Sequence, residues 1–416
     1  MGGLGLLKAL RTNPITIWTR THFEEPIVLR DTIIGPMCIL SDPAAIKHVL
    51  VDNARNYRKG VLQTRVLRPG LGNGVLTAEG ESWRTQRRAL APAFTPRLIE
   101  SFQPAMAGVA ATLVARWSEL GDGARIDAAR EMTHVTLEVL ERTIFSDGLA
   151  SEPAALAQAI TRYLDTLGRV HPFDALDLPA WLPRFGQGRS KEALAIFNLA
   201  VDTIIARRRE LLARGEEAPR DLLTLLLEAQ ISQNGLAPDE VRANIATFIA
   251  AGHETTANTL SWSLFLLAFA PEWRERLEQE IDEILGDADL ASFALDRLVV
   301  TKAVIEEALR LYPPAYGIFR VARRADEADG VPIPKGAIIM IAPWLLHRHR
   351  KLWTDPDVFD PARFLPGAPT PDRFAYLPFG MGPRVCIGAQ FALTEATLVL
   401  ARLVRQFEIR RADNRP

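Results

Sequence analysis

One long helical run dominates this chain: "NIATFIAAGHETTANTLSWSLFLLAF" over residues 244–269, starting near Pro238 and ending before Pro271. Apolar turns flank its middle, so it reads as a buried helix that the rest of the chain must wrap. From about residue 80 to 315 apolar residues recur at three and four positions, with prolines at the breaks, the period of packed helices. A final helix is expected over roughly 387–406. Short β-like runs, "EPIVLR" and "MCIL", occupy the region 25–60, with a helix capped by Ser41 or Asp42 at "SDPAAIKHVL". "VPIPKGAIIMIAPW" at 331–344 reads as two strands around a Pro-Lys-Gly turn, within a β-rich part at about 318–345. The expected class is therefore mainly α with a smaller β portion (α+β), as a single domain over 1–416.

The middle of the long helix breaks helix rules. In "AGHETT", Gly252 costs about 1 kcal/mol relative to alanine in a helix interior. The β-branched Thr255 and Thr256 can turn their hydroxyls onto carbonyls of the preceding turn, which predicts local loosening. Polar groups held in an apolar wall suit a small, wet reaction pocket. "HETTA" also begins like the zinc-protease pattern His-Glu-x-x-His, but the second ligand position is Ala257, which removes the metal site.

The chain has two cysteines in 416 residues, and one sits in an elaborate setting, "FGMGPRVCIG" over 379–388. Three glycines and a proline bend the backbone, and a helix follows at once. Free amides and the positive helix end therefore face the Cys386 sulfur and favour its anion. Gly382 and Gly388 allow close approach of backbone or a flat ligand, and Phe379 offers an apolar shield. Nucleophile, redox thiol and metal ligand are the three uses of such a thiolate. No histidine lies nearby in sequence, and Cys38 stands in an unrelated apolar stretch. A buried, inert cysteine is the plain alternative.

Together these stretches resemble the cytochrome P450 family. "FGMGPRVCIG" matches every fixed position of the haem-binding pattern Phe-x-x-Gly-x-Arg-x-Cys-x-Gly. "AGHETT" is similar to the oxygen-activating segment, "EALR" at 307–310 to the Glu-x-x-Arg pair, "DPARF" at 360–364 to the arginine-bearing meander, and "WRTQR" at 83–87 to the Trp-x-x-x-Arg element. All five stand in the family's order, and the resemblance spans roughly residues 40–407.

The resemblance implies a haem b (iron protoporphyrin IX) between the long helix and the cysteine loop, with Cys386 as axial thiolate, a ligand that pushes electron density onto iron and favours O–O cleavage. It assigns the haem propionates to Arg384, Arg87, Trp83 and Arg320, with Arg323 and Arg324 close by as rivals of the last. It places Phe379, Gly388 and Gly252 around the macrocycle, and Glu307, Arg310 and Arg363 in a supporting network. Thr255 and Glu254 become the catalytic pair, moving protons to bound dioxygen in a dry pocket; His253 fills a variable position. The substrate pocket is expected from residues near 60–80, 160–200, 244–255 and 315–320, with Phe248, Tyr316, Ile318 and Phe319 suggesting an apolar ligand such as a fatty acid, terpenoid or aromatic.

The implied reaction is insertion of one oxygen atom of O2 into an apolar small molecule, with electrons from a separate ferredoxin and its reductase or a flavodoxin. Arg84 and Arg88 are candidates for the docking face of an acidic partner. A peroxide-driven enzyme of the same fold, or a non-catalytic haem carrier or gas sensor, is the alternative. Net charge of -1 gives no general pull toward nucleic acid. No signal peptide is expected at "MGGLGLLKALR", and the apolar segment "LSWSLFLLAFA" at 260–270 is short of a membrane span. The expectation is a cytoplasmic monomer. Chains of the family continue past a position like Ile409 into a substrate-touching β-hairpin, which is either lacking here or lies outside the present sequence.

Overall fold

The computed structural model describes residues 13–32, 35–146, 188–231, 235–285, 290–292 and 294–412. The pocket stretch expected at 160–200 therefore lies outside the described residues up to 187.

The longer helices are α1 (Val61–Leu71), α2 (Gly80–Leu90), α3 (Pro96–Ser118), α4 (Ala128–Thr143), α5 (Gly188–Ala213), α6 (Leu222–Ile231), α7 (Pro238–Leu267), α8 (Pro271–Leu285), α9 (Val299–Leu311) and α10 (Ala389–Gln406). Helix α7 is the axis. It packs against α4, α9 and α10, and one contiguous apolar core gathers side chains from α3, α4, α7, α8 and α10. Pro238 sits in its first turn, where the missing amide hydrogen costs nothing. Glu240 folds back so that its Oε2 accepts the Ala237 N–H at 3.1 Å.

Strands β1 (Ile27–Thr32), β2 (Gly35–Leu40), β3 (Tyr57–Arg58), β4 (Ile318–Ala322) and β7 (Ile338–Ile341) form one sheet in the order β1-β2-β7-β4-β3. Its β2–β7 pair is parallel and the others antiparallel. Strands β5 (Asp326–Ala328) and β6 (Val331–Ile333) form a separate pair. The two strands expected around the Pro-Lys-Gly turn are both present, but they do not pair with each other: β6 joins β5 while β7 enters the main sheet. Asp42 is the cap of the early helix, its Oδ1 accepting the Ala45 N–H at 2.7 Å.

Two expectations change. Helix α7 is continuous through "AGHETT". The hydroxyls of Thr255 and Thr256 do donate to the Ala251 and Gly252 carbonyls, at 2.8 and 3.3 Å, but the helix holds, with Leu140 of α4 packed against Gly252 on one side. The second concerns membrane length. Helix α3 is long and apolar enough to cross a bilayer by length and composition. Its apolar stripe, Ile99, Met106, Val109, Ala110, Leu113 and Trp117, is nevertheless buried in the protein core against α4 and α10.

Candidate functional site

The cysteine loop is built on glycine. Gly382 has φ +77°, and a Cβ there would collide with the Leu50 carbonyl oxygen, so only glycine lets the loop close on that backbone. The Cys386 N–H donates to the Phe379 carbonyl at 2.9 Å, pinning the loop across itself. Cys386 is exposed to solvent-sized space, yet protein surrounds it closely enough that desolvation pushes its thiol up, against the pull of the Gly388 amide and of Arg87. A sulfur enclosed by protein but open on one side is a sulfur facing a cleft.

Helix α7 has the matching open stripe. Although most of its length is buried, Ala251, Thr255 and Asn258 are exposed. These positions continue the line of Phe248 at helical spacings of three and four. Phe248, only 8% exposed, stacks on Phe94 with ring centroids 5.2 Å apart. Phe94 in turn abuts Gly388, where a Cβ would stand 3.9 Å from its ring. This chain of contacts turns the exposed stripe toward the cysteine loop. Phe248 and Phe94 thus pack between α7 and the cysteine loop, and Phe94 is a neighbour that sequence reasoning missed.

Helix α2 carries Trp83 and Arg87, and a buried amide network sets its register on α7. Gln86 Nε2 donates to Glu240 Oε1 at 3.0 Å, Asn244 Nδ2 donates to Gln86 Oε1 at 2.9 Å, and Ser82 Oγ donates to Glu240 Oε1 at 2.7 Å. Arg87, one residue on, lies within electrostatic reach of Cys386. It makes no side-chain hydrogen bond among the described residues. The Arg384 guanidinium sits 4.2 Å over the Trp83 ring, and donates to the Ala78 carbonyl and to Glu79 Oε1, each at 2.8 Å.

Arg320 projects from β4 and, among the described residues, donates only to the carbonyl of its neighbour Phe319, at 2.8 Å. Burial pulls its guanidinium down to about 10, with Arg384 adding to the effect and Glu79 opposing it. Lys59, at 8% exposure, joins them, its Nζ donating to the Leu76 carbonyl. Lys59, Arg320 and Arg384 thus crowd together, with Glu79 as the carboxylate acting on all three among the described residues. The cluster has room for further negative charge. A flat ligand bearing two carboxylates, with an iron to offer the sulfur, fits this donor set, so the residues present fit haem. Lys59 was invisible in the sequence because no motif carries it; only the fold brings residue 59 beside residues 320 and 384.

The other expected residues divide. A Cβ at Gly252 would meet Leu140 Cδ1 at 3.0 Å, so this glycine lets α4 close on α7. His253 is fully buried on the side facing α4, where Thr136 Oγ1 donates to its carbonyl at 2.8 Å. Glu254 is half-buried one residue before the exposed Thr255. Ile318 lies next to Gly380 of the cysteine loop, on the same face of β4 as Arg320, whereas Phe319 points to the opposite face and packs with Met340. Tyr316 is 57% exposed and meets Phe319 edge-on at 6.3 Å. Arg84 is ion-paired with Glu81 at 2.7 Å, whereas Arg88 is exposed with no ion pair among the described residues.

The supporting network is fully formed. Arg310 and Glu307, both wholly buried, join through two hydrogen bonds of 2.6 and 2.7 Å. Arg310 also donates to the carbonyls of His347, Pro356 and Val358, and Arg363 approaches Glu307 at 3.6 Å.

A cysteine loop, a buried helix with an exposed threonine, and a cationic cradle form a site whose residues fit a haem. Comparison with known sequences agrees: the family model "Cytochrome P450" matches residues 21–416, and the chain belongs to the cytochrome P450 family, whose members are haem-iron monooxygenases. It is 34% identical over 378 residues to cyclooctatin synthase of Streptomyces melanosporofaciens, covering 90% of this chain and 81% of that protein. Cyclooctat-9-en-7-ol 5-monooxygenase of the same organism is 34% identical over 371 residues, covering 88% and 79%. Protein LUTEIN DEFICIENT 5 of Arabidopsis thaliana is 30% identical over 399 residues, covering 91% of this chain and 66% of that protein.

Proposed function

We propose that the protein inserts one oxygen atom of O2 into an apolar small molecule, using haem b held at Cys386 and electrons from a separate ferredoxin or flavodoxin, in the cytoplasm. The observation that carries this reading is the enclosed yet open Cys386 sulfur lying opposite the exposed stripe of α7. Bound haem supplies the activation of dioxygen; the protein supplies the sulfur ligand, the counter-charges and the protons.

Cys386 Sγ would be the sulfur ligand of bound haem, and the Gly388 amide would temper its charge. Arg87, Arg320 and Arg384 would hold the propionates as charge-assisted pairs, with the Trp83 indole N–H as a further donor. Thr255 Oγ1 is tied to the Ala251 carbonyl at 2.8 Å, which fixes its oxygen toward the open side. There it accepts a proton and passes one on, and Glu254 refills it from solvent. Phe94, Phe248 and Ile318 keep water out, and the exposed Tyr316 lines the way in, while Phe319 packs on the far face of β4. The relatives' names include an alcohol, cyclooctat-9-en-7-ol, which favours bulky, mostly hydrocarbon substrates such as terpenoids over small polar ones.

Purified protein, reduced and exposed to carbon monoxide, is expected to show the red-shifted Soret band of sulfur ligation, and Cys386→Ser to lose it. A wild-type protein without that band sinks the reading. Turnover with a ferredoxin, its reductase and NAD(P)H, absent with peroxide alone, then identifies the electron source, and spectral titration with fatty acids, terpenoids and aromatics identifies the substrate class.

A further inference from the structure

We infer that the substrate lies lengthwise along α7, from Thr255 out to an aromatic shelf at Trp262 and Phe265, and that this shelf selects extended hydrocarbons. This depends on the reading that oxygen is inserted beside Thr255, and it names the shape of the molecule oxidised there. Its ground is one line of side chains. Ala251, Thr255, Asn258, Trp262 and Phe265 follow one another at steps of four and three, so they share a face of the helix, and Phe269 continues the line in the turn beyond. Trp262 is half-buried and the other five are exposed, whereas Leu260, Leu264 and Leu267 on the opposite side are buried in the core. Phe265 and Phe269 stand 41% and 47% exposed. Large aromatic rings left open side by side mark a surface made to be covered.

A second wall closes on the same face. Tyr312, which follows α9, stacks flat on Trp262 with ring centroids 3.8 Å apart and planes 5° apart. The chain then passes the exposed Tyr316 and enters β4, where Ile318 lies against Gly380 of the cysteine loop. One wall therefore leads from Thr255 to Trp262, and the other from Trp262 back to the loop that carries Cys386. Phe265 meets Trp262 edge-on at 5.3 Å and Phe269 at 4.8 Å, so the shelf is continuous. Its outer end is stopped at Phe269, where the Arg411 guanidinium sits 4.1 Å over the ring.

From Thr255 to Phe265 the helix rises about 15 Å. A molecule oxidised beside Thr255 and reaching Phe265 is therefore extended, not compact. Beyond Thr255, Asn258 is the one polar side chain on this line, so nearly all the contact is apolar. Each added length of hydrocarbon covers more of the shelf and binds more tightly until the shelf is filled. A fatty acyl chain and an acyclic terpenoid share this chemistry, a flexible hydrocarbon with one polar end.

The test is titration of the ferric holoenzyme, followed by the Soret shift and by calorimetry. One series is octanoic, lauric and palmitic acids; the other is geraniol, farnesol and geranylgeraniol. Wild type is expected to bind the longest member of at least one series about tenfold more tightly than the shortest, and that series identifies the source of the hydrocarbon. Phe265→Asp puts a charge on the shelf and Trp262→Leu removes its ring, and each is expected to cut the preference for length by about tenfold. Phe265 is exposed, so Phe265→Asp alone decides if Trp262→Leu does not fold. Affinities that do not rise with length, or a preference that Phe265→Asp keeps, overturn the inference. So does a wild-type dimer in sedimentation that Phe265→Asp splits, because a second copy then covers this face. The reduced, carbon-monoxide-bound spectrum of the same samples separates the two readings. With the sulfur-ligation band present, a missing preference for length overturns this inference alone; a wild type without the band overturns the haem-thiolate reading and this inference with it.

Discussion

Thr255 shows how much one side chain can hold. Its hydroxyl satisfies the Ala251 carbonyl without breaking the helix, and the residue still stands exposed in the middle of an otherwise buried run. Removing that hydroxyl leaves the helix intact, because alanine is the better helix former. Thr255→Ala is therefore expected to fold and bind haem normally, while product formed per NAD(P)H consumed drops by about tenfold or more, the low end of what a positioned proton donor contributes. Measuring product, peroxide and NAD(P)H together checks this, and unchanged coupling assigns Thr255 to structure alone. The sequence made Thr255 and Cys386 stand out, because each sits in a pattern that is costly unless used. Lys59, Phe94, Gln86 and Asn244 carry no such mark. Their importance comes from neighbours far away in the chain.

At the scale of elements, the Glu307–Arg310 pair locks α9 to the segment that leads toward the cysteine loop. Both groups are wholly buried, and Glu307 Oε1 also accepts the Asp360 N–H at 2.8 Å. Breaking such a pair leaves an uncompensated buried charge, a loss of about 3–5 kcal/mol. Glu307→Gln and Arg310→Met are each expected to lower the unfolding free energy measured by denaturant titration by an amount in that range, with haem loss accompanying it. A variant of either that unfolds like wild type contradicts the structural role. The pair was readable from "EALR" as an i,i+3 neighbour on a helix, but sequence spacing also permits a weak surface pair. Burial is what separates the two, and burial is set by the packing of α9 on its neighbours.

Across the whole molecule, acid is the vulnerable side. His347 is fully buried, its Nδ1 against the Arg310 carbonyl at 3.1 Å while the Leu377 N–H donates to Nε2 at 2.8 Å. Both bonds are satisfied only by the neutral ring. Burial lowers its imidazolium to about 3, with Arg310 and Arg348 adding repulsion. The unfolded chain takes up that proton near pH 6.5, the folded chain only near 3. Folding stability is therefore fully present above 6.5 and declines as pH falls, by about 1.4 kcal/mol per pH unit for this one group. His253 and His349, also lowered by burial, act in the same direction. Leu377 lies just before the cysteine loop, so haem release is expected to accompany the decline. Unfolding midpoints measured from pH 7 to 4, with His347→Gln as comparison, check it; a flat wild-type profile rules it out.

By itself the sequence determined that a long buried helix would be interrupted by polar residues, that one cysteine would sit in a glycine-bent turn before another helix, and that the fold would be α-rich with a minor β part. Those features are local: they depend on periodicity, turn chemistry and capping, which neighbouring residues settle among themselves. Only the tertiary structure decided that β6 and β7 part company, that one apolar face of α3 packs into the core, and that residues 59, 320 and 384 meet around a shared excess of positive charge. Such meetings depend on which distant surfaces pack together and exclude water, and charge gains its strength there from the burial that packing creates.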